Sequence, residues 1–207
     1  MSEINWIYKL FVGTKTRLRR CYYSKLNKLK FRLYGISFGN GLSVVGPIYV
    51  YRGGGGKVSI GDNFRVTSGL GLNPLARNIQ FMLHIKRDAS LTIGNNVGIS
   101  SSCIWANESI TIGNNVNVGA DCIIMDSDIH SLDFMQRRTP ATDCANSVSA
   151  PIVIEDDAFI GTRCVILKGV HIGARSIVAA GSVVTKNVPS DCIAGGNPCK
   201  VIKRFDK

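Results

Sequence analysis

Large aliphatic residues recur at every sixth position from Ile154 onward, where IEDDAF, IGTRCV, ILKGVH, IGARSI, VAAGSV and VTKNVP follow one another without a gap. Position one reads Ile154, Ile160, Ile166, Ile172, Val178 and Val184, and position five reads Ala158, Cys164, Val170, Ser176, Ser182 and Val188. In a roughly half-apolar chain, position one would stay apolar through six repeats about once in 64 trials. A period of six fits neither the 3.6 of a helix nor the two of a hairpin sheet. It predicts an all-β fold, a parallel β-helix in which each coil stacks on the one before. The aliphatic side chain fills the interior and the small one sits where the wall turns. A single coil cannot bury its apolar face alone, so stability accrues rung by rung.

The pattern starts raggedly at Phe38 with FGNGLS and VVGPIY, passes through Gly53 to Gly56, and picks up IGDNFR at Ile60. After an irregular stretch over 67–90, with Arg77, Lys86 and Arg87, it resumes as IGNNVG and ISSSCI from Ile93, then IGNNVN and VGADCI from Ile112. Gly94 and Gly113 stand 19 residues apart, one coil plus one residue inserted near Trp105. Asp62-Asn63, Asn95-Asn96 and Asn114-Asn115 repeat at one corner, where Asn tolerates the left-handed backbone of a tight turn. After Ile124 the register breaks through MDSDIHSLDFMQRRTPATDCANSVSAP before restarting at Ile154. A long polar excursion from a rigid repeat is where function concentrates. It carries His130 among Asp126, Asp128 and Asp133.

Ahead of the repeat, Lys9, Lys15, Arg17, Arg19, Arg20, Lys25, Lys28, Lys30 and Arg32 alternate with Trp6, Ile7, Leu10, Phe11, Leu18, Tyr22, Leu26 and Leu29. Spacings of three, four and seven predict a basic amphipathic helical segment, broken near Gly13. Two roles stand open for it: contact with an anionic membrane surface, or a cap on the open end of the prism. The expected organisation is a basic N-terminal segment over 1–35, a β-helix over 36–199 with a protruding loop at 126–151, and a basic tail over 200–207.

The 207 residues suit one domain, and the formal charge of +11 calls for an anionic partner, although composition does not choose which. No secretory signal and no stretch of 18 apolar residues is evident, which sets a cytosolic location as the expectation. Seven cysteines without a Cys-x-x-Cys pair do not read as a disulfide or zinc framework. Cys103, Cys122 and Cys164 at position five read as small core fillers. His84, His130 and His171 lack the close spacing of a zinc site, so no metal is expected.

The excursion HSLDFMQRR, the run IGTRCVILKGVHIGARSIVAAGSVVTKNVP and the ending AGGNPCKVIKRF resemble the hexapeptide-repeat acyltransferases. Within them the likeness is to the sugar O-acetyltransferase branch, with maltose, galactoside and polysaccharide O-acetyltransferases. It covers roughly residues 58–207, and the basic N-terminal segment lies outside it. The resemblance implies a left-handed β-helix, a homotrimer with sites between neighbours, and acetyl-CoA as co-substrate with no nucleic acid partner. It implies His130 as the base that takes a hydroxyl proton during attack on the thioester, chemistry suited to an imidazole, with Asp126 or Asp128 orienting the ring. It places coenzyme A along Thr162, Ala180, Thr185 and Lys186, with Lys200, Lys203 and Arg204 near the phosphates, and an acceptor near Ser101 and Arg138. Related sugar acetyltransferases carry an Asn where this chain reads Ile99-Ser100-Ser101-Ser102, and often a Trp where Phe159 stands. The implied function is acetyl transfer to a sugar hydroxyl in surface or capsular polysaccharide biosynthesis, at the inner face of the membrane if the N-terminal segment docks there. The alternatives are an amino-sugar or serine-type acetyltransferase on the same fold and, more distantly, a non-catalytic β-helix.

Overall fold

The computed structural model describes residues 3–73 and 79–205, with helix side chains from Val12 onward. Trp6, Ile7, Lys9, Leu10 and Phe11 of the basic segment therefore have no described side chain. Arg77 and the last two residues of the expected tail lie outside the described residues.

Successive strands visit three walls in turn. The first wall takes Ser37–Phe38, Lys57–Ile60, Ser90–Ile93, Ser109–Ile112, Ile152–Ile154 and His171–Ile172. The second takes Ser43–Val45, Arg65–Thr67, Gly98–Ser100, Asn117–Val118, Phe159–Ile160, Ile177–Val178, Cys192–Gly195 and Lys200–Arg204. The third takes Ile48–Arg52, Phe81–Ile85, Cys103–Ala106, Ile123–Met125, Val165–Ile166 and Val183–Val184. Pairing is parallel throughout, as in Ile110↔Ile152 and Ile124↔Ile166, until the last strand turns back antiparallel on Cys192–Gly195.

The six-residue pattern translates directly into the core. Ile154, Ile160, Ile166, Ile172, Val178 and Val184 are all fully buried, and so are Ala158, Cys164, Val170, Ser176 and Ser182 at the corners. Each large aliphatic chain contributes about 1.5–3 kcal/mol relative to leaving it in water. One corner is stitched by two polar ladders. The backbone N–H of Asn40 donates to Asp62, that of Asp62 to Asn95, that of Asn95 to Asn114 and that of Asn114 to Asp156, at 2.6 to 2.9 Å. Beside it, the amides of Asn63, Asn96 and Asn115 each donate to the next coil at 3.0 Å, ending on Asp157. All four of these residues have φ between 57° and 61°, the left-handed turn that Asn and Asp tolerate.

Cys103 departs from its expected place. The three-serine corner is one residue shorter than the Gly119–Cys122 corner below it, so Cys103 pairs with Ile123 and Ser102 takes the inward slot over Cys122. Its thiol faces outward against Met82 Sδ at 3.7 Å, and burial pushes it up to about 11.

Residues Glu3–Leu33 form α1, which runs unbroken through Gly13. Its C-terminal third covers the open end of the prism. Phe31 is fully buried, Asn27 donates to the carbonyls of Val44 at 3.0 Å and Gly46 at 2.9 Å, and Lys30 Nζ donates to that of Ile48 at 2.9 Å. The helix stops at Gly35 with φ +63°, where Ile36 N–H returns to the Phe31 carbonyl and Gly35 N–H to that of Arg32. This is a Schellman stop, with buried Ile36 against buried Phe31 as its apolar contact.

The expected basic tail is structured: Lys200–Arg204 is an exposed strand, with Gly195↔Lys200 and Ala194↔Val201 in register. No described helix is long and apolar enough to cross a membrane.

Candidate active site

The excursion leaves the third wall after Met125 and rejoins the first wall at Ile152, so it stands on the corner between them. Its neck is closed by Asp128 N–H on the Val148 carbonyl at 3.0 Å and Ala150 N–H on the Asp126 carbonyl at 2.9 Å. Beyond the neck lie a short 3₁₀ turn, Gln136–Arg138, and one helix, α2, Pro140–Ala145, started by Pro140 at its first turn. Arg137 staples the loop to itself, its guanidinium donating to the carbonyls of Ser131 at 2.6 Å and Leu132 at 2.8 Å.

α2 delivers Asp143 to His130. One carboxylate oxygen, Oδ2, lies 2.6 Å from His130 Nδ1, and Oδ1 accepts the backbone N–H of Ser131 at 2.7 Å. The bond to His130, then the Ser131 N–H, hold the Asp143 carboxyl below the usual carboxylate range. An ionised carboxylate only accepts, so the neutral imidazole carries its proton on Nδ1 and turns an Nε2 lone pair outward. The His130 side chain is 68% exposed, open to a bound substrate. Directly before it, Ile129 has φ +64°. A β-branched residue rarely adopts that conformation, and such strained positions cluster at functional sites.

Asp126 and Asp128, expected to orient His130, are engaged elsewhere. Asp126 is fully buried and accepts the backbone N–H groups of Asn107 at 2.6 Å and Glu108 at 2.9 Å. It therefore anchors the neighbouring coil, where the shortened serine corner leaves two extra residues to be accommodated between Ile104 and Ile112. Burial raises its carboxyl and those N–H bonds partly offset the rise. Asp128 Oδ2 pairs with Lys168 Nζ at 3.0 Å. Sequence reading missed Asp143 because it lies thirteen residues from His130, in a stretch with no periodicity; the Pro140 helix start was the available signal.

Ser101 is also corrected. It is fully buried, its hydroxyl taking the Gly69 N–H at 3.2 Å and reaching the Thr67 carbonyl at 3.3 Å, so it is wired into the wall. Ser100 instead borders a hollow of about 410 Å³ on the second wall, with Arg65, Thr67, Gly98, Asn117 and Phe159. Arg138 is exposed on the excursion, with its guanidinium carbon 5.6 Å from the Phe134 ring centre.

The residues expected to hold coenzyme A divide between corners. Thr162 and Ala180 lie on the corner between the second and third walls, Thr162 in a hollow of about 240 Å³ with Ala120, Asp121 and Arg163. The corner is smooth because Gly119 and Gly161 face backbone directly; an added Cβ would fall 2.6 Å from Thr162 N and 2.5 Å from Ala180 N. Thr185 and Lys186 follow Val183–Val184 at the corner between the third and first walls, the one that carries the excursion. Lys200, Lys203 and Arg204 line the exposed last strand. Exposed cations of this kind suit phosphates, and the glycine-flattened corner suits an extended thin arm. The His130 ring is hydrogen-bonded to Asp143 rather than to any of them, and the third wall separates the excursion from the Thr162 corner within one chain.

Elsewhere, His171 Nε2 lies 2.7 Å from Glu155 Oε1, and Glu155 Oε2 accepts the Ala174 N–H at 2.7 Å. Among the described residues no cluster of His, Cys, Asp and Glu is arranged to hold a metal ion.

The family model described as "Hexapeptide repeat of succinyl-transferase" matches residues 109–127 and 151–186. A 2,3,4,5-tetrahydropyridine-2,6-dicarboxylate N-acetyltransferase from Staphylococcus aureus (strain Newman) is 53% identical over 55 residues, which is 27% of this chain and 23% of that protein. The chain thus spans about a quarter of the curated relatives it matches. Among solved structures, a hexapeptide-repeat-containing acetyltransferase from Vibrio cholerae, in complex with acetyl coenzyme A, aligns with a TM-score of 0.51 at 39% identity, over 56% of this chain and 61% of that one. Another structure of the Vibrio protein aligns over 100% and 95% with a TM-score of 0.57 at 25% identity. A maltose O-acetyltransferase from Clostridium difficile 630 shares the fold, with a TM-score of 0.55 at 23% identity over 100% and 90%.

Proposed function

We propose, from the premise that this chain is a hexapeptide-repeat protein whose structural neighbours are acetyltransferases, that it is an acetyl-CoA-dependent O-acetyltransferase acting on a sugar hydroxyl. The observation that carries the reading is the His130–Asp143 pair, held at 2.6 Å in the long excursion after Met125 with Nε2 turned outward. In the proposed step Nε2 accepts the hydroxyl proton as the oxygen attacks the thioester carbonyl, and the same proton then goes to the departing thiolate. Asp143 keeps the ring oriented and stabilises the imidazolium that forms in between. No covalent enzyme intermediate is needed. Thr162 and Ala180 line the arm's groove in this reading, Thr185 and Lys186 face it from the His130 corner of a neighbouring copy, and Lys200, Lys203 and Arg204 meet the phosphates. Surface or capsular polysaccharide is the proposed context for the acceptor.

A second reading, transfer to an amine, is favoured by the Staphylococcus relative, named an N-acetyltransferase. The same base serves both. A coenzyme A release assay across free sugars, nucleotide sugars, amino sugars and lipid-linked saccharides separates them. His130→Ala is expected to lower turnover on the true acceptor by about 10²- to 10⁴-fold, with acetyl-CoA binding retained. A variant that keeps the wild-type rate would remove His130 from the mechanism, and release only with amine acceptors would select the second reading.

A further inference from the structure

Almost all of the net charge sits at one end of the molecule. Residues 1–61 hold eleven Lys and Arg and one acid, Glu3, a balance of +10 out of the total +11; residues 62–207 hold fourteen basic and thirteen acidic residues. That end of the prism is the one α1 covers.

α1 has two faces. Asn27 and Phe31 meet the first coil and are buried. At 100° per residue, Leu18, Tyr22, Leu29 and Leu33 fall within an arc of about 60° on the roughly opposite side. There they stand 65%, 62%, 52% and 77% exposed. Exposed Lys15, Lys25 and Arg32 lie along the edges of the same arc. Large apolar side chains in water are single accidents on most surfaces, but three leucines and a tyrosine on one stripe of one helix form a patch that needs a partner.

We infer that this stripe docks α1 flat onto an anionic lipid surface. Leu18, Tyr22, Leu29 and Leu33 enter the acyl boundary, while Lys15, Lys25 and Arg32 lay their stems along it and place their charges among lipid phosphates. Charge complementarity selects this occupant. Lys15, Leu18, Tyr22, Lys25, Leu29 and Arg32 follow a three-four spacing, so two copies meeting along the seam would set cation against cation at half its positions. A nucleic acid would use the charges and leave the four apolar side chains unpartnered. The helix is too polar to cross a bilayer, whereas lying in the interface requires only one apolar face and flanking cations. The inference is independent of the transferase reading. With the coils stacked at about 4.8 Å, it would hold the His130 excursion, on the fourth coil, roughly 20 Å from the lipid.

The test is cosedimentation of the full chain with vesicles of phosphatidylglycerol in phosphatidylcholine, against vesicles of phosphatidylcholine alone. Binding to the anionic vesicles is expected to be at least ten-fold tighter and to weaken as salt is raised. Leu18→Ser/Leu29→Ser and Lys15→Gln/Lys25→Gln should each reduce it about ten-fold or more, with the circular dichroism spectrum unchanged; the side chains are exposed, so folding tolerates both. Wild-type protein left in the supernatant overturns the proposal, as does equal binding to both vesicle types. Loss with the lysine pair but not the leucine pair also overturns it and points to plain charge adhesion, as a nucleic acid would give. A fall in lipid-free mass by light scattering in the leucine variant overturns it in favour of a second copy.

Discussion

At the residue scale, Asp143 and Asp126 show how similar carboxylates of one excursion take different work from their surroundings. Asp143 sits where both oxygens meet donors of the loop, His130 Nδ1 and Ser131 N–H, so it fixes the tautomer of the base. Replacing it with Asn presents an amide that no longer demands a proton on Nδ1, and kcat is expected to fall about 100-fold with the KM for acetyl-CoA nearly unchanged. A rise in KM at constant kcat would instead assign Asp143 to binding, and Asp128→Asn, which touches Lys168, serves as the near-neutral control. The direction of the Asp143 shift also sets a pH dependence. A carboxyl lowered in the folded state adds stability above the ordinary carboxylate range, and that stability is lost as pH falls through the lowered value. Limited proteolysis within 126–151 should therefore stay slow through the range where ordinary carboxylates protonate and accelerate below it. In Asp143→Asn the loop should be cleaved faster at neutral pH, without that acid step.

At the element scale, the β-helix was legible because burial at every sixth residue is a constraint that few other folds impose. Ile154 through Val184 occupy the interior as their spacing requires. What spacing could not show was wherever a corner changed length or a contact was non-local. Cys103 was placed inward by counting from Ile99, but the shortened Ser100–Ser102 corner moves it out. Lys200–Arg204 read as a tail because all five residues are exposed, which removes the alternation that marks a strand; it is the backbone pairing with Cys192–Gly195 that makes it one. His130 stood out as the single His in the break, yet its partner depends on how α2 folds back, which no local rule gives. Asp126 offers an element-level test. Asp126→Ala would remove the buried acceptor of the Asn107 and Glu108 N–H groups, at about 1.5–3 kcal/mol for each hydrogen bond to a charged group that is lost. At about 2–4 °C per kcal/mol for a chain of this size, the melting temperature should drop by several degrees, whereas an exposed change such as Lys186→Ala should leave it within a degree or so.

At the scale of the whole molecule, the two halves of the proposed site occupy different corners of one prism. His130 and Asp143 stand on the corner between the third and first walls, and the Thr162–Ala180 groove lies on the corner between the second and third. A closed ring of three copies would set the His130 corner of one beside the groove of the next, which is the arrangement proposed here, with three sites per ring. The prediction can be read without a structure of the assembly. His130→Ala lacks the base but keeps an intact groove, while Ala180→Trp fills the groove at an exposed position and keeps the base. Each variant alone should be nearly inactive. When the two are unfolded together in equal amounts and refolded, a site is competent if its base comes from an Ala180→Trp chain and its groove from a His130→Ala chain. Random assembly makes that true for one half times one half of the sites, so roughly a quarter of wild-type activity should return. If each site were built within a single chain, every chain would carry one defect and mixing would restore nothing. Light scattering of the wild type at assay concentration supplies the companion measurement, since a fully active monomer would exclude the shared site whatever the mixing experiment gave.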